Sequence, residues 1–129
     1  MYKRNHQEIG MKTFTVFNIV LSDSDIDNVN SLGWDGAIKN DEKIRAYLDS
    51  GLGFSKYDPE YFQYYTKVGT VEANDLEDAF FRSNYGDANA IDNFSGMMRS
   101  LSVGDIVEVD GEYHMVDTFG FQKLEEFYT

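Results

Sequence analysis

The sequence predicts an α+β domain in which a single antiparallel or mixed sheet carries short helices on one side and closes with a C-terminal β-hairpin. Three observations lead there. Apolar residues alternate in some segments and recur at intervals of three and four in others, so both strands and helices are present. The dipeptide Asp110-Gly111 stands between two β-branched runs, where it supplies the positive φ values of a tight hairpin turn. The elements follow the order β-α-α-α-β-α-β-β, with no internal repeat and no low-complexity linker.

Residues 12–22, KTFTVFNIVLS, read as the first strand. Phe14 and Val16 alternate with Thr13, Thr15 and Phe17, and the unbroken apolar run that follows predicts a central position buried on both faces. Ser22 or Asp23 offers an N-cap to a short helix through Ile26, Val29 and Leu32, which Gly33 ends. A second helix follows Asn40, with Ile44, Tyr47 and Leu48 on one face and Gly51 as its stop. Asp58-Pro59 opens a third, aromatic helix over Tyr61 to Tyr65, because proline at the first helical position lacks only an N–H that would be unpaired there. YTKVGTVEA is a strand, and Asn74 with Glu77 forms a capping-box variant for a helix that turns Leu76, Phe80 and Phe81 to the core. Residues 86–96 are small, polar and turn-rich, and read as the longest loop. The hairpin carries Val103, Ile106, Val107 and Val109 before its turn and Tyr113, Met115 and Val116 after it.

A chain of 129 residues with ten Phe and nine Tyr has enough apolar surface to fold as one domain, taken here as residues 12–129. The first eleven residues read as a disordered leader, with Met11 as an alternative start. No apolar run follows Lys3 and Arg4 closely enough for a signal peptide. No segment has the roughly 18 consecutive apolar residues of a membrane span. The absence of cysteine removes disulfides, thiolate metal sites and cysteine nucleophiles, and fits a cytoplasmic location. A net charge of −12 opposes binding to nucleic acid or anionic membranes, since neutralising phosphate supplies most of the affinity in such complexes. From Glu72 to Asp117 there are eleven acids against Arg82 and Arg99, so the charge is concentrated in the second half.

No catalytic motif is present. Asp23, Asp25 and Asp27 imitate the start of a calcium loop, but Asn28 stands where the loop needs glycine and Trp34 where it needs a bidentate glutamate. Acids favoured by a helix N-terminus explain them instead, and no metal or other cofactor is expected. Of the two histidines, His6 lies in the leader, and alternation sets His114 on the solvent face of the hairpin. There is no GxSxG nucleophile turn. In MRSLSVGD, Arg99, Ser100 and Ser102 offer anion-binding groups, while Gly104 and Asp105 are equally explained by a turn feeding the hairpin.

LEDAFFRSN, residues 76–84, together with RSLSVGDIVEVDGEYHMVDTFGFQKL, residues 99–124, resembles the YodL-like domain found in phages, plasmids and other mobile elements. The most specific parts are the Arg-Ser-Leu-Ser-Val-Gly-Asp start, the strand ending in Val-Asp and the closing Gly120-Phe121. The resemblance is confined to residues 76–124, with the N-terminal two-thirds outside it. It implies a setting, an accessory protein of a phage or mobile element in a host cytoplasm, and no reaction. The candidate binding residues are Arg99, Ser100, Ser102, Asp105, His114, Phe119 and Phe121, with no catalytic and no metal-binding residue.

The function expected is therefore that of a small acidic, non-enzymatic accessory protein which binds a host or phage protein with a basic surface. Two alternatives stand beside it. A DNA mimic would need a concentrated stripe of acid, because a folded chain of this mass exposes about 7,000 Å² and its net charge averages one per roughly 600 Å². Duplex DNA carries one per about 100 Å² on a cylinder of roughly 10 Å radius. A small-molecule enzyme would need an acidic pocket with convergent polar groups.

Overall fold

In the computed structural model, which describes residues 10–125 apart from the side chain of Ser95, the first strand is the middle of the molecule. Strand β1 (Lys12–Asn18) lies between β2 (Thr66–Ala73) and β4 (Ile106–Val109). Beyond them β3 (Ile91–Asn93) borders β2, while β5 (Glu112–Val116) and β6 (Phe121–Lys123) follow β4. All five pairings in the order β3-β2-β1-β4-β5-β6 are antiparallel, so the sheet is antiparallel throughout. The strand ends at Asn18, four residues before the predicted end, but Phe17, Asn18 and Ile19 are all buried as its central place requires.

Alternation divides the core into two clusters, one on each face. Phe14, Val16, Val71, Ala73, Val107 and Val109 belong to the first, which Ala79, Met98 and Leu101 close. Phe17, Ile106, Met115 and Leu124 belong to the second, roofed by Tyr57, Phe62 and Tyr65. Opposite Val16 and Phe17 the ladder steps from Gly69 to Lys67, leaving Val68 as the extra residue of a β-bulge. Beyond the bulge Lys67 lies over the Phe17 ring, 5.9 Å from its centroid, on the aromatic face.

Helix α1 (Asp23–Asn40) starts as predicted: the Ser22 hydroxyl accepts from the Asp25 N–H, and the Asp25 carboxylate accepts from the Ser22 N–H. Gly33, at φ 73°, breaks the helical geometry, but the chain re-enters a helix beyond it instead of stopping. Ile26 and Leu32 are exposed and the buried side of α1 is Asp25 and Ala37, so local capping rather than an apolar stripe sets this element. Asp25 is held by Lys43 at 2.8 Å; burial raises its carboxyl, but the bonds from Lys43 and Ser22 outweigh that and leave it below its ordinary value.

Helix α2 (Glu42–Gly51) is capped by Asp41, one residue later than predicted, with Oδ1 accepting from the N–H groups of Lys43 and Ile44. The aromatic segment forms two 3₁₀ turns, Phe54–Lys56 and Pro59–Tyr64, in place of an α-helix. Asp58 caps the second as predicted. Helix α3 (Leu76–Tyr85) is capped by Asp75 and not Asn74, and it buries Ala79 and Ser83 while Phe80 and Phe81 stay exposed. Small residues let the helix approach β2 closely, which the rings would prevent. The expected loop over residues 86–96 contains β3 and a 3₁₀ turn, Phe94–Gly96. Asn93 clamps this stretch by accepting from the Met98 N–H and donating to the Met98 carbonyl.

The hairpin forms as predicted, with Asp110 at φ 54° and Gly111 at φ 82°, the pair of positive values a type I′ turn demands. The expected leader falls almost wholly outside the described residues, and His6 with it. No helix among the described residues is long and apolar enough to cross a membrane.

Candidate functional site

The segment between Met98 and β4 is a turn locked from below. Asp105 N–H bonds the Ser102 carbonyl at 3.0 Å, which closes the turn over Val103 and Gly104. The Asp105 side chain then reaches back beneath it: Oδ2 accepts from the Ser102 N–H at 2.9 Å. Arg99 Nη1 donates to Oδ2 at 2.9 Å and Nη2 to Oδ1 at 3.1 Å, a bidentate pair. The same Nη1 also bonds the Ser102 hydroxyl at 2.9 Å. Asp105 is only 1% exposed. Burial pushes its carboxyl above the ordinary value, and Arg99 pulls it back without cancelling that. Burial opposes the charge on Arg99 too, but the bonds to Asp105 outweigh it and hold the guanidinium protonated.

Two further bonds fasten the turn to the fold. The Tyr65 hydroxyl, itself pushed upward in pKa by burial, donates to the Gly104 carbonyl at 2.6 Å. The Leu101 N–H donates to the buried Ser83 hydroxyl of α3 at 2.7 Å. At Gly104, φ is 97° and a Cβ would stand 2.6 Å from the Ser50 carbonyl oxygen, so both backbone conformation and close approach demand glycine.

A recess opens on each side of this turn, and Ser102 and Val103 line both. One is a cleft of about 310 Å³ bordered by Tyr47, Leu48 and Leu52 of the α2 end and by Arg99. The other is a groove of about 520 Å³ between α3 and the β5–β6 turn, walled by Phe80, Val116, Phe119 and Phe121. The Phe80 and Phe121 rings meet edge to face at 6.5 Å, and Phe119 is 89% exposed. Glu77 and Asp117 are the charged residues of the groove lining, which includes no cation. Asp117 accepts from the Phe54 and Thr118 N–H groups, and these bonds hold its carboxyl below the ordinary value.

Of the candidate residues, Arg99, Ser102 and Asp105 are thus brought together, but into an internal lock: the guanidinium that was to bind an anion is engaged by Asp105. Ser100 turns to the Ser83 carbonyl at a long 3.4 Å. Phe119 and Phe121 lie on the groove, beyond the turn. His114 is apart from all of them and is not solvent-facing as alternation predicted. It stands opposite Val107, whose side is the first core cluster, and its side chain is only 14% exposed. The β5 residues that follow it on either face, Met115 and Val116, are buried, so this end of the strand has no open side. Glu112 Oε1, 3.6 Å from its Nε2, is beyond hydrogen-bond range. Tyr65 and Leu52 of the cleft and Phe80 of the groove were not singled out from the sequence as site residues, Phe80 having been assigned to the core, nor was Ser83, which fastens the turn. Only Phe80 carried a usable signal, a large aromatic residue on a helix whose small residues suffice for its buried side.

Asp23, Asp25 and Asp27 do not converge, and among the described residues no group of three or more acids or histidines is placed to hold a metal ion. No curated protein and no solved structure gives a significant match to the chain. The family model of the YodL-like domain matches residues 37–127. This widens the resemblance beyond residues 76–124, so that α2, the aromatic turns and β2 fall within the match, and with them both recesses save Ile19 of the cleft. The chain belongs to the YodL-like domain family.

Proposed function

We propose that this domain acts by binding another protein through the groove between α3 and the β5–β6 turn. The observation that carries this reading is the groove's composition: Phe80, Phe119 and Phe121 are displayed around an apolar recess whose charged residues are the acids Glu77 and Asp117. Aromatic side chains bury large areas at little entropic cost and dominate protein interfaces. An exposed apolar recess with a polar rim is a recurrent mark of such sites. The partner chemistry that fits is an apolar side chain flanked by lysine or arginine, drawn by the groove's acids and by a chain of net charge −12. In this reading the chain is a small non-enzymatic accessory protein of phage or mobile-element origin, at work in a host cytoplasm.

The test is a comparison of immobilised wild-type and Phe119→Ser proteins as baits in a host lysate, at low and moderate salt, with quantitative mass spectrometry. A protein retained by the wild type, lost with Phe119→Ser and weakened by salt supports the proposal, since exposed charges are screened within about 10 Å at 0.1 M. Equal retention by both baits overturns it.

A further inference from the structure

The groove and the cleft are separated by nothing wider than the Ser102–Asp105 turn, since Ser102 and Val103 wall both. The turn is also firmly tied, held by Arg99, by the Asp105 side chain and by Tyr65. Each recess has an exposed apolar lip, Phe119 on the groove and Leu52, 63% exposed, at the cleft. On this basis, and resting on the reading that the groove takes a partner segment, we infer that the segment is an extended peptide crossing the Ser102–Val103 ridge, with one apolar side chain in each recess.

The backbone of the ridge favours an extended chain over a helix. Side chains at i and i+2 of a strand point the same way, so two of them can descend on either side of a narrow ridge. The Val103 N–H and C=O, at the crest of the turn, find no partner among the described residues. An extended segment presents free backbone donors and acceptors to meet them, whereas a helix has already used its own internally. Charge sets the flanks: the groove presents Glu77 and Asp117, while the one cation in the cleft lining, Arg99, is matched by Asp105. The occupant is thus an extended segment with two apolar residues at i and i+2 and a lysine or arginine beside the groove anchor. A turn already rigid costs little to order on binding.

The experiment selects a displayed library of random twelve-residue peptides on the full chain. The most enriched peptide is then synthesised and titrated calorimetrically into wild type, Phe119→Ser and Leu52→Ser. Both substituted residues are exposed, and thermal melts confirm that each variant is folded. We expect enriched peptides with apolar residues two apart and basic flanks, and a loss of affinity of fivefold or more in each variant. If Phe119→Ser weakens binding while Leu52→Ser does not, the crossing is overturned and the groove reading stands. If neither variant weakens it, both fall. Apolar spacing of three or four residues overturns the extended form, and failure to enrich any peptide counts against the whole proposal.

Discussion

Arg99 grips both carboxylate oxygens of Asp105, at 2.9 and 3.1 Å, with the acid almost wholly out of water and the arginine side chain 48% exposed. Arg99→Met leaves a buried carboxylate without its countercharge, which in buried pairs costs about 3–5 kcal/mol. Because the arginine is half exposed, the lower end, about 3 kcal/mol, is expected. Adding Asp105→Leu removes the stranded charge and should recover part of the loss. Urea melts of the single and double variants measure this, and a double variant less stable than Arg99→Met would refute the lock.

The hairpin turn makes its own prediction. Gly111→Val places a β-branched residue at φ 82°, where such residues are outliers, at about 1–3 kcal/mol. Roughly 3–6 °C of melting temperature is lost per kcal/mol in a domain of this size. Asp110→Ala should do less, because its ion pair with Lys12 is exposed. An unchanged melting temperature in Gly111→Val contradicts the turn.

Acid should loosen the first helix. Asp25 titrates below its ordinary 3.8 in the folded chain, so its contribution is complete above that value and is lost as pH falls through the folded pKa. The difference in urea midpoint between wild type and Asp25→Asn should be steady from pH 6 to about 4.5 and shrink below pH 4. A difference that does not change with pH would show that Asp25 contributes nothing through its charge.

Alkali tests the aromatic segment. The Tyr61 hydroxyl donates to Asp49 Oδ2 at 2.6 Å, and chiefly for that reason its pKa is raised from 10 to about 12. A raised value means stability present below pH 10 and lost between about 10 and 12. Tyr61→Phe should lessen this dependence without abolishing it, since burial also raises Tyr57, Tyr64 and Tyr65, and melts from pH 9 to 11 in which the variant loses as much stability as the wild type would refute the Tyr61 contribution.

His114 is enclosed over Val107, so His114→Ala opens a gap beside the first cluster and should cost about 1 kcal/mol. A cost near zero would place the ring back in solvent.

Four of the strands and the hairpin were legible because period-two alternation and the Asp110-Gly111 turn are local signals, although β1 stops at Asn18 instead of Ser22, and β3 and β6, of three residues each, are too short to show a period. Cap positions slipped by one residue at Asp41 and Asp75 because adjacent Asn and Asp compete for the same role and only the final chain direction decides. Phe80 and Phe81 were misassigned to the core because periodicity marks a face without saying whether Ala79 and Ser83 can fill it. For the site, Arg99, Ser102 and Asp105 were visible in sequence as neighbours, but the lock they form depends on a folded turn. The two recesses depend on Leu52, Phe80 and Phe121 meeting residues far away in the chain, which no local pattern encodes.

The family match begins at Ala37, yet β1, the strand that joins β2 to β4, ends at Asn18. A piece cut at the family boundary would therefore hold both halves of the sheet with a slot between them, lined by the unmet edges of β2 and β4. Residues 12–18 fill that slot in the whole chain, so the centre of the sheet is supplied from outside the matched region.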